Sequence, residues 1–239
     1  MYNNNENQQA YDRGVSVFSP EGRLYQVEYA REAVKRGAPG VGIRTEDSVV
    51  LASKSGERSS LVVTESIEKV HKIENDIGSV SAGYTPDGRR LVDQLRLITQ
   101  KDQIRYGDLA PVNVVSQKIA DHLQESTQVG GRRPYGASLI IAGVDETGPR
   151  VFEVEPGGTP TEYHAVAEGQ NRRKIMEYFE QEYDSELSTE EAIQLAADAL
   201  NTFSEGGINK TTLDVAVISE EESFNQLSTD EVAEYCEEE

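Results

Sequence analysis

Apolar residues recur at helical spacing in some stretches of this chain and at strand spacing in others, and the two regimes alternate. Ser19-Pro20-Glu21 has the chemistry of a helix start: a capping hydroxyl, a proline at the first position and an acidic first turn. Leu24, Val27, Ala30 and Val34 then recur at helical spacing, beside Tyr25 and Tyr29, up to Gly37, which reads as a C′ glycine. Residues 41–45 and 48–53 are short β-rich runs joined by Glu46-Asp47, and residues 70–73 and 78–84 look like a second such hairpin. From Asp87 the helical period returns, with Leu91, Leu95, Ile98 and Ile104 on one face and Gly107 as the stop; Val115, Ile119, His122 and Leu123 mark another helix after Pro111.

After Gly130-Gly131 the chain goes back to strands. Residues 138–144 are almost continuously apolar, as a strand buried on both faces must be, and residues 150–154 follow a turn at 146–149. Two helices over 171–183 and 188–204 come next, the second opened by the capping box Ser188-x-x-Glu191, and residues 213–219 form a last strand. Ser228-Thr229-Asp230-Glu231 has the residues to cap a short acidic helix. Helix pairs inserted between groups of antiparallel strands predict an α+β sandwich in layers. At 239 residues the chain is within the size of a single core, and no repeat or Pro/Gly/Ser linker divides it. The expected organisation is a mobile polar segment over 1–10, one domain over 11–219 and an acidic tail over 220–239.

Composition narrows the partners. The chain carries 43 acidic and 23 basic residues, a net charge of −20, so it repels nucleic acid and anionic lipid. Concentrated salt would screen that self-repulsion to a Debye length of about 3 Å at 1 M, which points to a halophilic source. The single cysteine, Cys236, excludes an intrachain disulfide and fits a reducing compartment. No run of apolar residues is long enough to span a membrane, and residues 1–10 have neither the basic flank nor the apolar core of a secretory signal. A soluble cytoplasmic protein is expected.

Catalytic chemistry is sparse. His71, His122 and His164 stand far apart with no partner at ligand spacing, so no metal is expected. Gly37-x-x-Gly40-x-Gly42 precedes a strand instead of opening a helix, and neither a Gly-Lys-Ser/Thr loop nor a Gly-x-Ser-x-Gly elbow occurs, so no nucleotide and no serine nucleophile is expected. No cofactor is implied. The basic pairs Arg89-Arg90, Arg132-Arg133 and Arg172-Arg173 read as ion-pair or interface residues.

Residues 11–37, YDRGVSVFSPEGRLYQVEYAREAVKRG, closely resemble the N-terminal signature of proteasome α-type subunits, those of archaea and in particular haloarchaea. The resemblance continues through Ser66-Ile67-Glu68-Lys69, Arg133-Pro134-Tyr135-Gly136 and residues 138–149, SLIIAGVDETGP. It implies the four-layer αββα sandwich of N-terminal-nucleophile hydrolases, with an extra N-terminal helix. In catalytic members of that family the nucleophile is a threonine whose own α-amine is the base, and it must therefore begin the mature strand. The matching position here is near Ala38, and the matching acidic partner near Lys54; neither fits. Gly158-Thr159, the one Gly-Thr step, lies mid-chain in a turn.

The resemblance therefore implies a non-catalytic subunit of a threonine-type endopeptidase complex. It implies an outer heptameric ring, of one or two kinds of α chain, stacked on β-type subunits and admitting unfolded protein. Lys69, Gly83, Gly37 and Arg31 would form a pocket for the C-terminal tails of an AAA ATPase regulator, Lys69 receiving the terminal carboxylate. Tyr11, Asp12, Pro20 and Tyr29 would brace the gate formed by residues 1–10, and Val129, Gly130 and Gly131 would line the pore. Two other readings are an autonomous hydrolase that cleaves before a cryptic nucleophile and a chaperone-like ring without a β partner. An intact mass separates the first from the α-subunit reading, and co-purification separates the second.

Overall fold

The computed structural model describes residues 18–20, 22–55, 61, 68–129 and 131–236. Helix α1 (Tyr25–Lys35) begins later than its sequence signal. Ser19 and Arg23 instead close a turn: the Ser19 N–H donates to the Arg23 carbonyl, the Gly22 N–H to the Ser19 carbonyl, and the Arg23 N–H to Ser19 Oγ. Gly22 takes a φ of +76°, which a right-handed helix cannot accommodate, so Pro20 serves this turn and α1 starts beyond it.

The strands are β1 (Gly40–Arg44), β2 (Ser48–Lys54), β3 (Val70–Glu74), β4 (Ile77–Gly83), β5 (Ala137–Asp145), β6 (Gly148–Val154), β7 (Pro160–Tyr163), β8 (Ala165–Glu168), β9 (Leu213–Ser219) and β10 (Asn225–Gln226). They build two antiparallel sheets, ordered β10-β9-β2-β1-β8 and β3-β4-β5-β6-β7. Strands β7 and β8 are absent from the sequence expectation. Each has four residues, too short for a clear alternation, and between them the chain passes from the edge of one sheet to the edge of the other.

Helices α2 (Thr85–Tyr106) and α3 (Val112–Gln128) cover the β5 sheet, and α4 (Arg172–Glu182) and α5 (Thr189–Phe203) cover the β2 sheet. Period-two alternation sorts the strand residues among three apolar layers. Val50 and Ala52 face α4 and α5 with Ile175 and Leu200, while Leu139 and Ile141 face α2 and α3 with Leu91 and Ile119. The intervening positions Val49 and Leu51 meet Ile140 and Ala142 between the sheets. This is the expected αββα sandwich. Gly42 sets the closeness of its middle layer, since a Cβ there would lie 2.7 Å from Ile140 and 3.0 Å from Val151.

Ile104 departs from the expected core face of α2 and is 86% exposed. The last turns of α2 run past the apolar face, and Thr99 and Asp102 take the inward positions there, with Asp102 held at 2.7 Å by Lys118 of α3. Beyond β9 the chain adds β10 to the sheet edge and then α6 (Thr229–Ala233), whose Val232 is buried.

The Ser188-Glu191 capping box is formed in both directions, Ser188 N–H to the Glu191 carboxylate at 2.8 Å and Glu191 N–H to Ser188 Oγ at 3.2 Å. Ser188→Ala should therefore lower stability by about 1 kcal/mol, read as a shift in the urea unfolding midpoint at constant slope. An unchanged midpoint would mean that α5 does not depend on its cap.

Candidate functional site

Helix α1 presents two different flanks beside the stripe it buries. Tyr29, Glu32, Ala33 and Arg36, spaced by three and four residues, line one side of a cavity of about 460 Å³ whose floor is Gly37 and Gly83 and whose far wall is Tyr84. The two glycines touch: a Cβ on Gly37 would lie 2.1 Å from the Gly83 nitrogen, and a Cβ on Gly83 would lie 2.3 Å from the Gly136 carbonyl oxygen. Gly83 also has a φ of +114°. The left-handed conformation expected of Gly37 as a C′ residue is not adopted; its need for glycine is backbone-to-backbone contact with β4.

Arg31 stands on the other flank. Its guanidinium makes a two-pronged pair with Glu155, at 3.0 and 2.9 Å, facing a separate cavity that Glu153, Glu168 and Arg172 also line. The structure thus joins Gly37 and Gly83, adds Tyr29, and leaves Arg31 outside. Lys69 precedes β3, is half-buried, and does not line the cavity within one chain. Pro20 is exposed and follows the buried Ser19, whose carbonyl accepts from the Gly22 N–H. Val129 is 45% exposed at the end of α3, and Gly131 has a φ of +84°. Tyr11, Asp12, Gly130 and residues 1–10 lie outside the described residues.

The resemblance places the family nucleophile near Ala38. Ala38 lies between α1 and β1 as an internal residue of a tied segment. The Gly37 N–H donates to the Val34 carbonyl, the Gln170 N–H to the Gly37 carbonyl, and both the Lys54 N–H and Ser53 Oγ to the Pro39 carbonyl. Ala38, Pro39, Lys54, Ser55, Gln170 and Glu205 border a cleft of about 350 Å³. The Lys54 ammonium is committed, because its Nζ donates to the Glu205 carbonyl. Among the described residues no group of three or more His, Cys, Asp or Glu side chains is placed to hold a metal.

A family model described as "Proteasome subunit" matches residues 34–218, and a second one, for the N-terminal signature of the A-type proteasome subunits, matches residues 11–33. The chain belongs to the proteasome alpha-subunit family. It is 47% identical to "Proteasome subunit alpha 2" of Haloarcula marismortui, over 97% of this chain and 95% of the relative. It is 46% identical to "Proteasome subunit alpha 1" of Haloferax volcanii, over 96% and 92%. "Proteasome subunit alpha" of Methanosarcina thermophila matches at 47% over 95% and 93%.

Two polar centres of this proteasome alpha-type fold escape a reading of the sequence. Asp87, at the start of α2, accepts two hydrogen bonds from Arg133, at 2.5 and 2.8 Å, and one from the Gly136 N–H. Burial alone would raise the Asp87 carboxyl, but those hydrogen bonds and the Arg133 and Arg90 charges together hold it below its ordinary range. The pair locks the Arg-Pro-Tyr-Gly segment onto the helix. The second centre is Glu168, 4% exposed, which accepts from Ser138 Oγ and from Arg172 Nε at 2.8 Å each, while Arg172 also holds Glu153 at 2.8 Å. The signal for it is the i,i+4 spacing of Glu168 and Arg172, which the abundance of surface charges conceals.

Burial, and then the neighbouring Glu153 carboxylate, push the Glu168 carboxyl up to about 8 against the opposing pull of Arg172 and Ser138. A carboxyl raised from 4.5 to about 8 binds its proton more tightly folded than unfolded. Its ionisation therefore weakens the fold as pH rises between those values and has no effect below them. Relative to Glu168→Gln, the unmodified chain should lose stability progressively from about pH 5 to pH 8, measured by urea unfolding. Parallel profiles for the two would contradict the raised value.

Proposed function

We propose that this chain is a non-catalytic subunit of a proteasome core particle, which closes the outer heptameric ring with other α-type copies and stacks on catalytic β-type subunits. Residues 1–10 gate the entry of unfolded protein in the cytoplasm, braced by Tyr11, Asp12, Pro20 and Tyr29, with Val129, Gly130 and Gly131 at the pore. The observation that carries the reading is the state of Ala38. A threonine-type nucleophile needs a hydroxyl and a free α-amine on one residue at the head of β1. Ala38 has no hydroxyl, and its nitrogen is an amide within a segment hydrogen-bonded on both sides. Helix α1 before it buries Val27, Ala30 and Val34, as an integral element does and a removable leader need not.

The Gly37–Gly83 cavity suits the docking of an extended tail. Its floor lacks side chains, so an incoming backbone approaches closely, and Tyr29, Tyr84 and the Ala33 methyl offer apolar contact. The terminal carboxylate of an AAA ATPase tail is met by Lys69 of the adjacent copy, which completes from across the ring a pocket that one chain leaves half built. Arg31 has no part in it, being engaged with Glu155.

Purified alone, the chain should form rings without peptidase activity, as judged by native mass and a fluorogenic peptide. In the particle assembled with its β partner, Lys69→Ala should abolish stimulation by a peptide ending in hydrophobic-Tyr-any residue, with basal small-peptide hydrolysis retained. Stimulation that survives the substitution would rule out the carboxylate role of Lys69.

A further inference from the structure

One cavity of this strongly acidic molecule is cationic. It encloses about 370 Å³ between α2, the end of α3 and the segment entering β5. Arg90, Arg132 and Arg133 stand around it, with Asp87 the one carboxylate in its wall. That carboxylate is taken, because Arg133 holds it with both nitrogens and is itself fixed over the Tyr84 ring at 5.7 Å. Among the described residues no carboxylate forms an ion pair with Arg90 or Arg132, so three arginines face one carboxylate in the lining and its net charge is positive. Both arginines are exposed at its rim.

The remaining wall is neutral and forms hydrogen bonds. Burial lowers the basicity of His122, and the two arginines add to the effect against the opposing pull of Glu125, so its imidazole is uncharged near neutral pH. His122 Nε2 lies 3.1 Å from the Tyr135 hydroxyl, which ties the two rings together across the wall. Two guanidinium groups beside a neutral polar wall match a tetrahedral dianion in charge, and each can donate two parallel hydrogen bonds; chloride and carboxylates, each singly charged, leave one guanidinium uncompensated.

We propose that this cavity binds a phosphoryl dianion, with Arg90 and Arg132 as its charge partners and the Asp87–Arg133 pair as the rigid post that spaces them. Free phosphate and a phosphorylated side chain both carry that group. The test uses the full-length protein at fixed potassium chloride, titrated calorimetrically with inorganic phosphate and, separately, with a phosphoserine peptide. Phosphate should saturate a single site, and Arg90→Gln combined with Arg132→Gln should weaken it by roughly tenfold or more. Arg173→Gln, on the exposed face of α4, should leave it unchanged.

Arg90→Lys with Arg132→Lys keeps the charges, removes the forks and should give an intermediate loss; melting curves establish that each variant is folded. Competition by the phosphoserine peptide would identify a modified polypeptide as a source, and binding of phosphate without such competition would restrict the site to the free ion. Absence of saturable binding would overturn the assignment, as would equal binding by the double glutamine variant or equal displacement by acetate.

Discussion

The contact between Gly37 and Gly83 is the constraint on which the rest of the site depends. Two backbones meet there with no room for a side chain on either, and that meeting fixes where α1 ends, how the chain turns into β1, and what lies in front of the first strand. Backbone hydrogen bonds hold the segment from Val34 to Pro39, and Ala38 sits inside it at the head of β1. The same contact leaves the shallow cavity beside α1. That one steric fact creates a surface on which another chain's backbone has room to approach.

Much of the fold was legible in the sequence because its layers are built from clean periodicities. The strands over 48–54, 137–145 and 213–219 and the helix over 189–203 sit within a residue or two of their apolar patterns, and the Ser188 capping box forms as its spacing implies. The misreadings have local causes. Ser19-Pro20-Glu21 has helix-start chemistry, but Gly22 diverts it into a turn, and β7 and β8 are too short to show alternation. Ile104 repeats the period of a helix that has already outrun its sheet.

The candidate site was legible in part, and what was missed is pairwise. Sequence resemblance supplies Gly37 and Gly83 but cannot say that Arg31 is committed to Glu155, because the partner is distant in the chain and acidic residues are abundant. In a chain of net charge −20, arginines are used to fasten carboxylates at structural joints: Arg133 to Asp87, Arg172 to Glu153 and Glu168, Arg150 to Glu162. Of these the Arg150–Glu162 pair is the most exposed on its carboxylate side and contributes little, about 0 to 1 kcal/mol, whereas Asp87 and Glu153 are mostly buried and losing their arginine would leave a buried charge. The buried Glu168 group differs, because burial makes its charge state matter to the fold. Against that background Arg90 and Arg132, which pair with no carboxylate among the described residues, are the informative ones.

The most direct test of a non-catalytic role is the covalent state of the chain inside an assembled particle. After co-expression with a catalytic partner subunit, the intact mass of this chain should correspond to a polypeptide that still carries α1 and the Gly37–Pro39 segment. A mass showing cleavage within or beyond α1, together with a new threonine amino terminus that reacts with an electrophilic peptide inhibitor, would contradict the account.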